Sequence, residues 1–157
     1  MKTIWIGAKN VDQLSGKSKE DITKDLLTIE SETGNPKKLE YKLKNDKYSV
    51  LFAINDNKNI CGYIAFRVRS KYIEINTIKV SKNSNFDDTI KNLIDSIRSR
   101  PPYLKCKWIR MWVLQDYENI NLCKALCKYG FHLFPDDNDM TRFFYKESFN
   151  NPKKENV

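Results

Sequence analysis

The stretch IKVSKNSNFDDTIKNLI, residues 78–94, changes its period in the middle. Ile78 and Val80 alternate with polar residues, as a strand does. Ile90, Leu93, Ile94 and, just beyond, Ile97 recur at i, i+3, i+4 and i+7, which is one face of a helix. Between the two runs lies a short polar turn. A strand entering a helix through such a turn is a common place to hold a phosphate, because the first backbone N–H groups of the helix are unpaired and its dipole attracts anions. Turns that do this usually carry glycine, for close backbone approach, and often arginine. This one carries neither. It sets Asp87 and Asp88 at the opening of the helix, with Ser84 or Asn85 in place to cap it.

Working outward, three β-branched and aromatic runs precede the turn, at 48–55, 60–68 and 72–80. Short polar turns join them, so they read as an antiparallel meander. Before them, 3–7 reads as a first strand. Ser18 and Asp21 form a capping box for a helix that Gly34 and Pro36 end, and 41–43 reads as a marginal strand piece. After the helix at 86–98, Pro101 and Pro102 stop the chain. A strand at 107–114 follows. Asp116 is the expected N-cap of a helix carrying Leu122, Ala125, Leu126 and Tyr129, and Gly130 closes that helix. The runs FHLF and MTRFFYK flank the turn PDDND as a closing hairpin. The strands before and after the helix at 86–98 are expected to be parallel neighbours.

The chain has 157 residues, 31% of them charged and 40% hydrophobic, and a net charge of +8. These values fit one globular domain, expected over 1–149, with a disordered polar tail at 150–157. No apolar run reaches the ~20 residues of a membrane span, and the first residues are too short an apolar stretch for a secretory signal, so a cytoplasmic location is expected. Four cysteines without a C-x-x-C pair, and one histidine, His132, argue against a zinc site and against catalytic triads built on histidine. Cys123 and Cys127 are expected as buried apolar residues. The basic residues are scattered, and nothing pairs Trp5, Trp108 and Trp112 with a basic stripe, so the tryptophans read as sheet packing and nucleic acid is not the expected partner.

Two stretches resemble the GNAT superfamily of N-acyltransferases. In that family a strand ending in Val leads to a helix of the form N-x-x-A-x-x-x-Y-x-x-x-G-F. Here Val113, Asn119, Gly130 and Phe131 match with spacing intact, while Leu122 stands for the Ala and Leu126 for the Tyr. The opening stretch aligns with L-x-V-x-P-x-x-R-G-x-G-I-G-x-x-L-L at Ile78, Val80, Leu93 and Ile94. Asn85 replaces the Arg, and Phe86, Asp88 and Ile90 replace the glycines. The resemblance implies an α+β fold with a GNAT-like mixed, mostly antiparallel central sheet of about seven strands flanked by helices. It implies transfer of an acetyl group from acetyl-CoA to an amine, on a small molecule or a protein, with no membrane partner.

The implied cofactor contacts are the backbone of Ile78 and Val80 on the pantetheine arm, Asn85, Phe86 and Asp88 at the pyrophosphate, and Asn119 beside the arm. Glu74, four residues before Ile78, matches the glutamate that some members use as general base. Such a carboxylate removes the proton an amine must lose before attacking a thioester. As a strand residue Glu74 shares a face with Tyr72, Asn76 and Ile78; the alternative to a base is an exposed strand carboxylate paired with Lys71 or Arg67. Tyr117 is the nearest substitute for the missing helix Tyr as general acid. The changed turn leaves an alternative: a GNAT-fold binding or regulatory protein that no longer holds coenzyme A.

Overall fold

The computed structural model describes residues 1–33, 36–114, 116, 119–135 and 140–146. Their order is β1 (Lys2–Trp5), α1 (Val11–Ser15), α2 (Lys19–Thr33), α3 (Pro36–Lys44), β2 (Ser49–Ile54), β3 (Ile60–Val68), β4 (Ile73–Val80), α4 (Phe86–Arg98), α5 (Pro101–Cys106), β5 (Trp108–Leu114), α6 (Ile120–Tyr129), β6 (His132–Pro135) and β7 (Met140–Lys146). The seven strands form one sheet in the order β1-β2-β3-β4-β5-β7-β6. Every pairing is antiparallel except β4 with β5, which are parallel as expected.

Two apolar clusters sandwich the sheet. One gathers Ile90, Leu93, Ile94 and Ile97 of α4 and Ala125 and Leu126 of α6 against Ile64, Ile75, Ile109, Met111 and Phe143. Each fully buried aliphatic side chain there is worth about 2 kcal/mol of transfer free energy, which is why α4 follows its sequence stripe so closely. The other cluster packs Ile22, Leu26 and Ile29 of α2 and Leu39 of α3 on β1, β2 and β3. The Ser18 cap forms, with Asp21 N–H donating to Ser18 Oγ at 3.2 Å.

Three local expectations are corrected. Residues 41–43 are helical, because Pro36 opens α3: at the first helical position its missing N–H costs nothing. Pro101 likewise starts α5 rather than only ending α4. The cap of α6 is Asn119, and Asp116 instead accepts the Asn119 N–H at 3.1 Å. Tyr117, the turn at 136–139 and the tail at 150–157 lie outside the described residues. No described helix is long and apolar enough to cross a membrane.

Candidate functional site

The site begins with a bulge. Ala65 of β3 faces Thr77 and Phe66 faces Ile75, so Asn76 is an extra residue in β4. A bulge bends its strand and moves every later side chain to the other face. Ile75 and Ile78, three apart, therefore both join the cluster under α4, while Glu74 and Thr77 point to the α2/α3 side. The expectation that Glu74 shares a face with Ile78 is thus corrected. Pairing between β4 and β5 stops one residue earlier, at Ile75 and Met111. Beyond it β4 stays with β3 as far as Val80, and β5 stays with β7 as far as Leu114. The two strands part, and among the described residues the β4 edge from Asn76 to Val80 has no strand partner on the β5 side.

The opening is a cleft of about 460 Å³, lined by Ile78 and Thr77 from β4, Met111 to Leu114 from β5, Asn119 and Leu122 from the start of α6, and Glu30, Lys38 and Lys42 from α2 and α3. Asn119 is fixed by its side-chain amide, which donates to the Leu114 carbonyl at 3.0 Å. The buried Oδ1 of Asn76 has no partner among the described residues. Lys42 Nζ donates to Thr77 Oγ1 at 2.5 Å. Tyr63, buried in the cluster under α2, donates its hydroxyl to Glu30. Burial and that hydrogen bond push the Tyr63 pKa far up, so it remains a donor.

The start of α4 is finished as a structural helix end. Asn85 Oδ1 accepts the Asp88 N–H at 3.0 Å, and Thr89 Oγ1 donates back to the Asn85 carbonyl at 2.7 Å. Asp87 pairs with Lys128 at the end of α6, 3.1 Å away. Asp88 makes no ion pair among the described residues, and Phe86 is half-buried against the α4 cluster. Gly62 allows the end of β4 to close down here: a Cβ on it would stand 2.5 Å from the Lys79 carbonyl and 3.0 Å from Thr89 Cγ2.

Glu74 is held by two guanidinium groups, Arg69 at 3.0 Å and Arg110 at 3.5 Å, not by Lys71 or Arg67. Tyr117 lies outside the described residues, and two other candidates, Tyr129 and Cys123, are unsuited to proton or acyl transfer. Tyr129 donates to Asp95 at 2.6 Å and accepts from Arg98 at 3.1 Å, and burial with the Asp95 bond raises its pKa well above the usual phenol value. Cys127 is exposed rather than buried, and Cys123 is half-buried. Burial, with the neighbouring Cys127 and Asp116, raises the Cys123 pKa, which keeps it a thiol and unsuited to an acyl relay.

Sequence reading missed Glu30, Lys38, Lys42 and Trp112 as cleft residues. The i, i+4 spacing of Lys38 and Lys42 was the available signal, hidden by reading 41–43 as strand. It also missed a basic partner for the tryptophans, which β7 supplies: Arg142 lies 5.2 Å from the Trp112 ring and Lys146 5.5 Å from the Trp108 ring.

No protein-family model matches the sequence, and no curated protein matches it. Solved structures do match. A chimera of the Vibrio cholerae spermidine N-acetyltransferase SpeG and hSSAT superposes with a TM-score of 0.64 at 12% identity, covering 96% of this chain and 100% of that one. The aminoglycoside 6'-N-acetyltransferase of Enterococcus faecium gives 0.63 at 11%, covering 92% and 94%. A Bacillus anthracis protein assigned as a streptothricin acetyltransferase, solved with acetyl coenzyme A, gives 0.53 at 19%, covering 68% and 65%. With its seven-stranded mixed sheet and one parallel pair, β4 with β5, at the cleft, the chain has a GNAT-like fold.

Proposed function

We propose that the protein is an acyl-CoA-dependent N-acyltransferase that moves an acetyl group from acetyl-CoA to an amine. The observation that carries this reading is the parting of β4 and β5 after Ile75 and Met111, which leaves a strand edge without a partner along a cleft. The unpartnered backbone of Ile78 and Val80 suits an extended amide-bearing arm, which can add to a strand edge by main-chain hydrogen bonds. Asn119 closes the opposite side. Asn85, Phe86 and Asp88 would flank the phosphates, with the first-turn N–H groups that the Asn85 cap does not take as donors.

Acetyl-CoA would supply the activated acyl group. The C–N bond forms as the thioester C–S bond breaks, the amine gives up a proton, and coenzyme A leaves as the thiol. The chain's part is to align the two reactants and accept that proton. Glu74 is the proposed base, its carboxylate positioned by Arg69 and Arg110.

Calorimetric titration with acetyl-CoA tests the reading, followed by detection of free thiol over a panel of amines. Binding in the micromolar range supports it. No binding at millimolar acetyl-CoA overturns it in favour of a GNAT-fold binding protein.

A further inference from the structure

Two features on the α3 side of the sheet meet at Trp112. The first is the cleft wall that α3 provides. Lys38 and Lys42, one helical turn apart, both line it, and Lys79 lines it from β4. Glu30 is the one carboxylate among the described lining residues, and it already accepts the Tyr63 hydroxyl. Lys42 is half-buried. Burial lowers its pKa, Glu30 pulls the other way, and the charges of Lys38 and Lys79 lower it further. A cation in this setting is under-neutralised, and an anion placed beside it is stabilised.

The second feature is the part of this face of the sheet that lies beyond the apolar cluster. The apolar cluster beneath α2 and α3 ends with Tyr63 and Ala65 of β3. Beyond it the same face carries rings interleaved with guanidinium groups. Arg110 lies 4.4 Å from the Tyr72 ring centre and 6.0 Å from that of Trp112. Arg142 lies 5.2 Å from Trp112 and 5.8 Å from Phe144. These rings are half-buried, and Trp112 also lines the cleft, so the row runs into it. The buried Nε atoms of Arg110 and Arg142, like Asn76 Oδ1 in the cleft, have no hydrogen-bond partner among the described residues. Glu74 is the acidic counterweight on this face, and Arg69 and Arg110 already flank it.

We propose that the acceptor is an amine carrying an anionic group and a planar ring, the anion received by Lys38 and Lys42 and the ring laid against Trp112 and Arg142. This rests on the acyl-transfer reading. A carboxylate and a phosphate would both satisfy the two ammonium groups. A polyamine would instead bring cations against them, so this cleft is built for the opposite charge from that of spermidine, the compound named for the SpeG chimera.

Trp112 supplies a readout that does not depend on turnover. Tryptophan fluorescence is followed while four amines are added: L-phenylalanine (carboxylate and ring), phosphoethanolamine (phosphate, no ring), phenethylamine (ring, no anion) and spermidine. Phenylalanine is expected to bind at least about tenfold more tightly than phenethylamine, with phosphoethanolamine between them and no response to spermidine. The preference should vanish in Lys42→Gln and persist in Lys42→Arg, and the signal should be lost in Trp112→Phe.

Phenethylamine or spermidine matching phenylalanine overturns the anionic assignment, as does a preference unchanged in Lys42→Gln. Phosphoethanolamine matching phenylalanine overturns the ring. If no anionic amine binds at millimolar concentration while acetyl-CoA does, the acceptor class fails and acyl transfer stands. If anionic amines bind and acetyl-CoA does not, acyl transfer fails and the acceptor proposal with it, and only a site for anionic ring-bearing amines stands.

Discussion

Replacing Asp88 by Asn removes one negative charge from the first turn of α4 and leaves its geometry in place. The cap uses the Asp88 N–H, and Asn92 donates to the Asp88 carbonyl at 2.8 Å, so neither bond involves the carboxylate. A phosphate charge ~5 Å from that carboxylate is repelled by roughly 3 kcal/mol at an effective dielectric of ~20. Asp88 is exposed, which raises the effective dielectric, and physiological salt, with a screening length of about 8 Å, roughly halves what is left, so about 1 kcal/mol remains, or about fivefold in affinity. The helix loses an interaction between a charge and its dipole worth about 0.3–1 kcal/mol, so the variant should bind better while folding slightly less well. Lys128→Gln should act oppositely. It frees Asp87 from an ion pair whose side chains are 75% and 52% exposed, so the weakening should be no more than a few-fold. The assay is calorimetry with acetyl-CoA at low and high salt, with acetyl-pantetheine, which has no phosphates, as the control. Asp88→Asn should tighten acetyl-CoA at low salt, lose most of the gain at high salt, and leave acetyl-pantetheine unchanged. Equal affinity of wild type and variant at low salt, or equal tightening of the phosphate-free ligand, would refute the electrostatic reasoning.

Glu74→Gln keeps the side chain's shape and should lower turnover on an amine acceptor by at least about 10²-fold while acetyl-CoA still binds; unchanged turnover removes Glu74 as the base. Gly62→Ala forces a Cβ to within 2.5 Å of the Lys79 carbonyl, and overpacking of this kind costs about 1–3 kcal/mol; an unchanged urea midpoint would show that β4 yields freely there. Asp95 joins α4 to α6 through Tyr129 and also pairs with Lys91 at 2.8 Å. Burial alone would raise its pKa, but the bonds from Lys91 and Tyr129 and the charges of Lys91 and Arg98 outweigh that and hold it below the usual value. Its stabilising contribution is therefore complete above the ordinary carboxyl range and is lost as pH falls through it. Denaturant titrations from about pH 5 down to about pH 2 should show a steeper loss in wild type than in Asp95→Asn, and parallel slopes would count against the network.

The elements that could be read from sequence were those whose burial has a period. The stripe of α4 and the β-branched runs of β3 and β4 put nearly every apolar residue on an inward position, so β3 and α4 fall at 60–68 and 86–98 as expected. Helix α3 could not be read this way. It buries little beyond Leu39 and is otherwise mostly lysine, glutamate and tyrosine, so it shows no apolar stripe, and Pro36 reads as a stop although it is a start. The bulge at Asn76 left no mark either. A strand with one extra residue reads the same as one without until its neighbour's register is known, and Ile75 and Ile78 look like opposite faces in one dimension. The arginines among the tryptophans share the same cause: Arg142 is thirty positions from Trp112 in the chain but directly opposite it across the β5–β7 ladder.

The bulge gives the cleft access to both faces of the sheet. Without the extra residue, Glu74 and Ile78 would share a side, and a base on β4 would point into the apolar cluster under α4. With it, Ile78 and Val80 pack toward α4 while Glu74, Thr77 and Lys79 are turned toward α3. In the acyl-transfer reading proposed above, one strand would offer its open edge to an extended arm and its charged side chains to a second molecule on the other face. The parting of β4 and β5 is where the two would meet. Strand β4 must bend away from β5 there while keeping its bonds to β3, and Gly62, opposite Val80, permits the close approach that this bend needs. The cleft is open although the turn at 81–90 holds neither glycine nor arginine, because it is made by strand register and not by the turn.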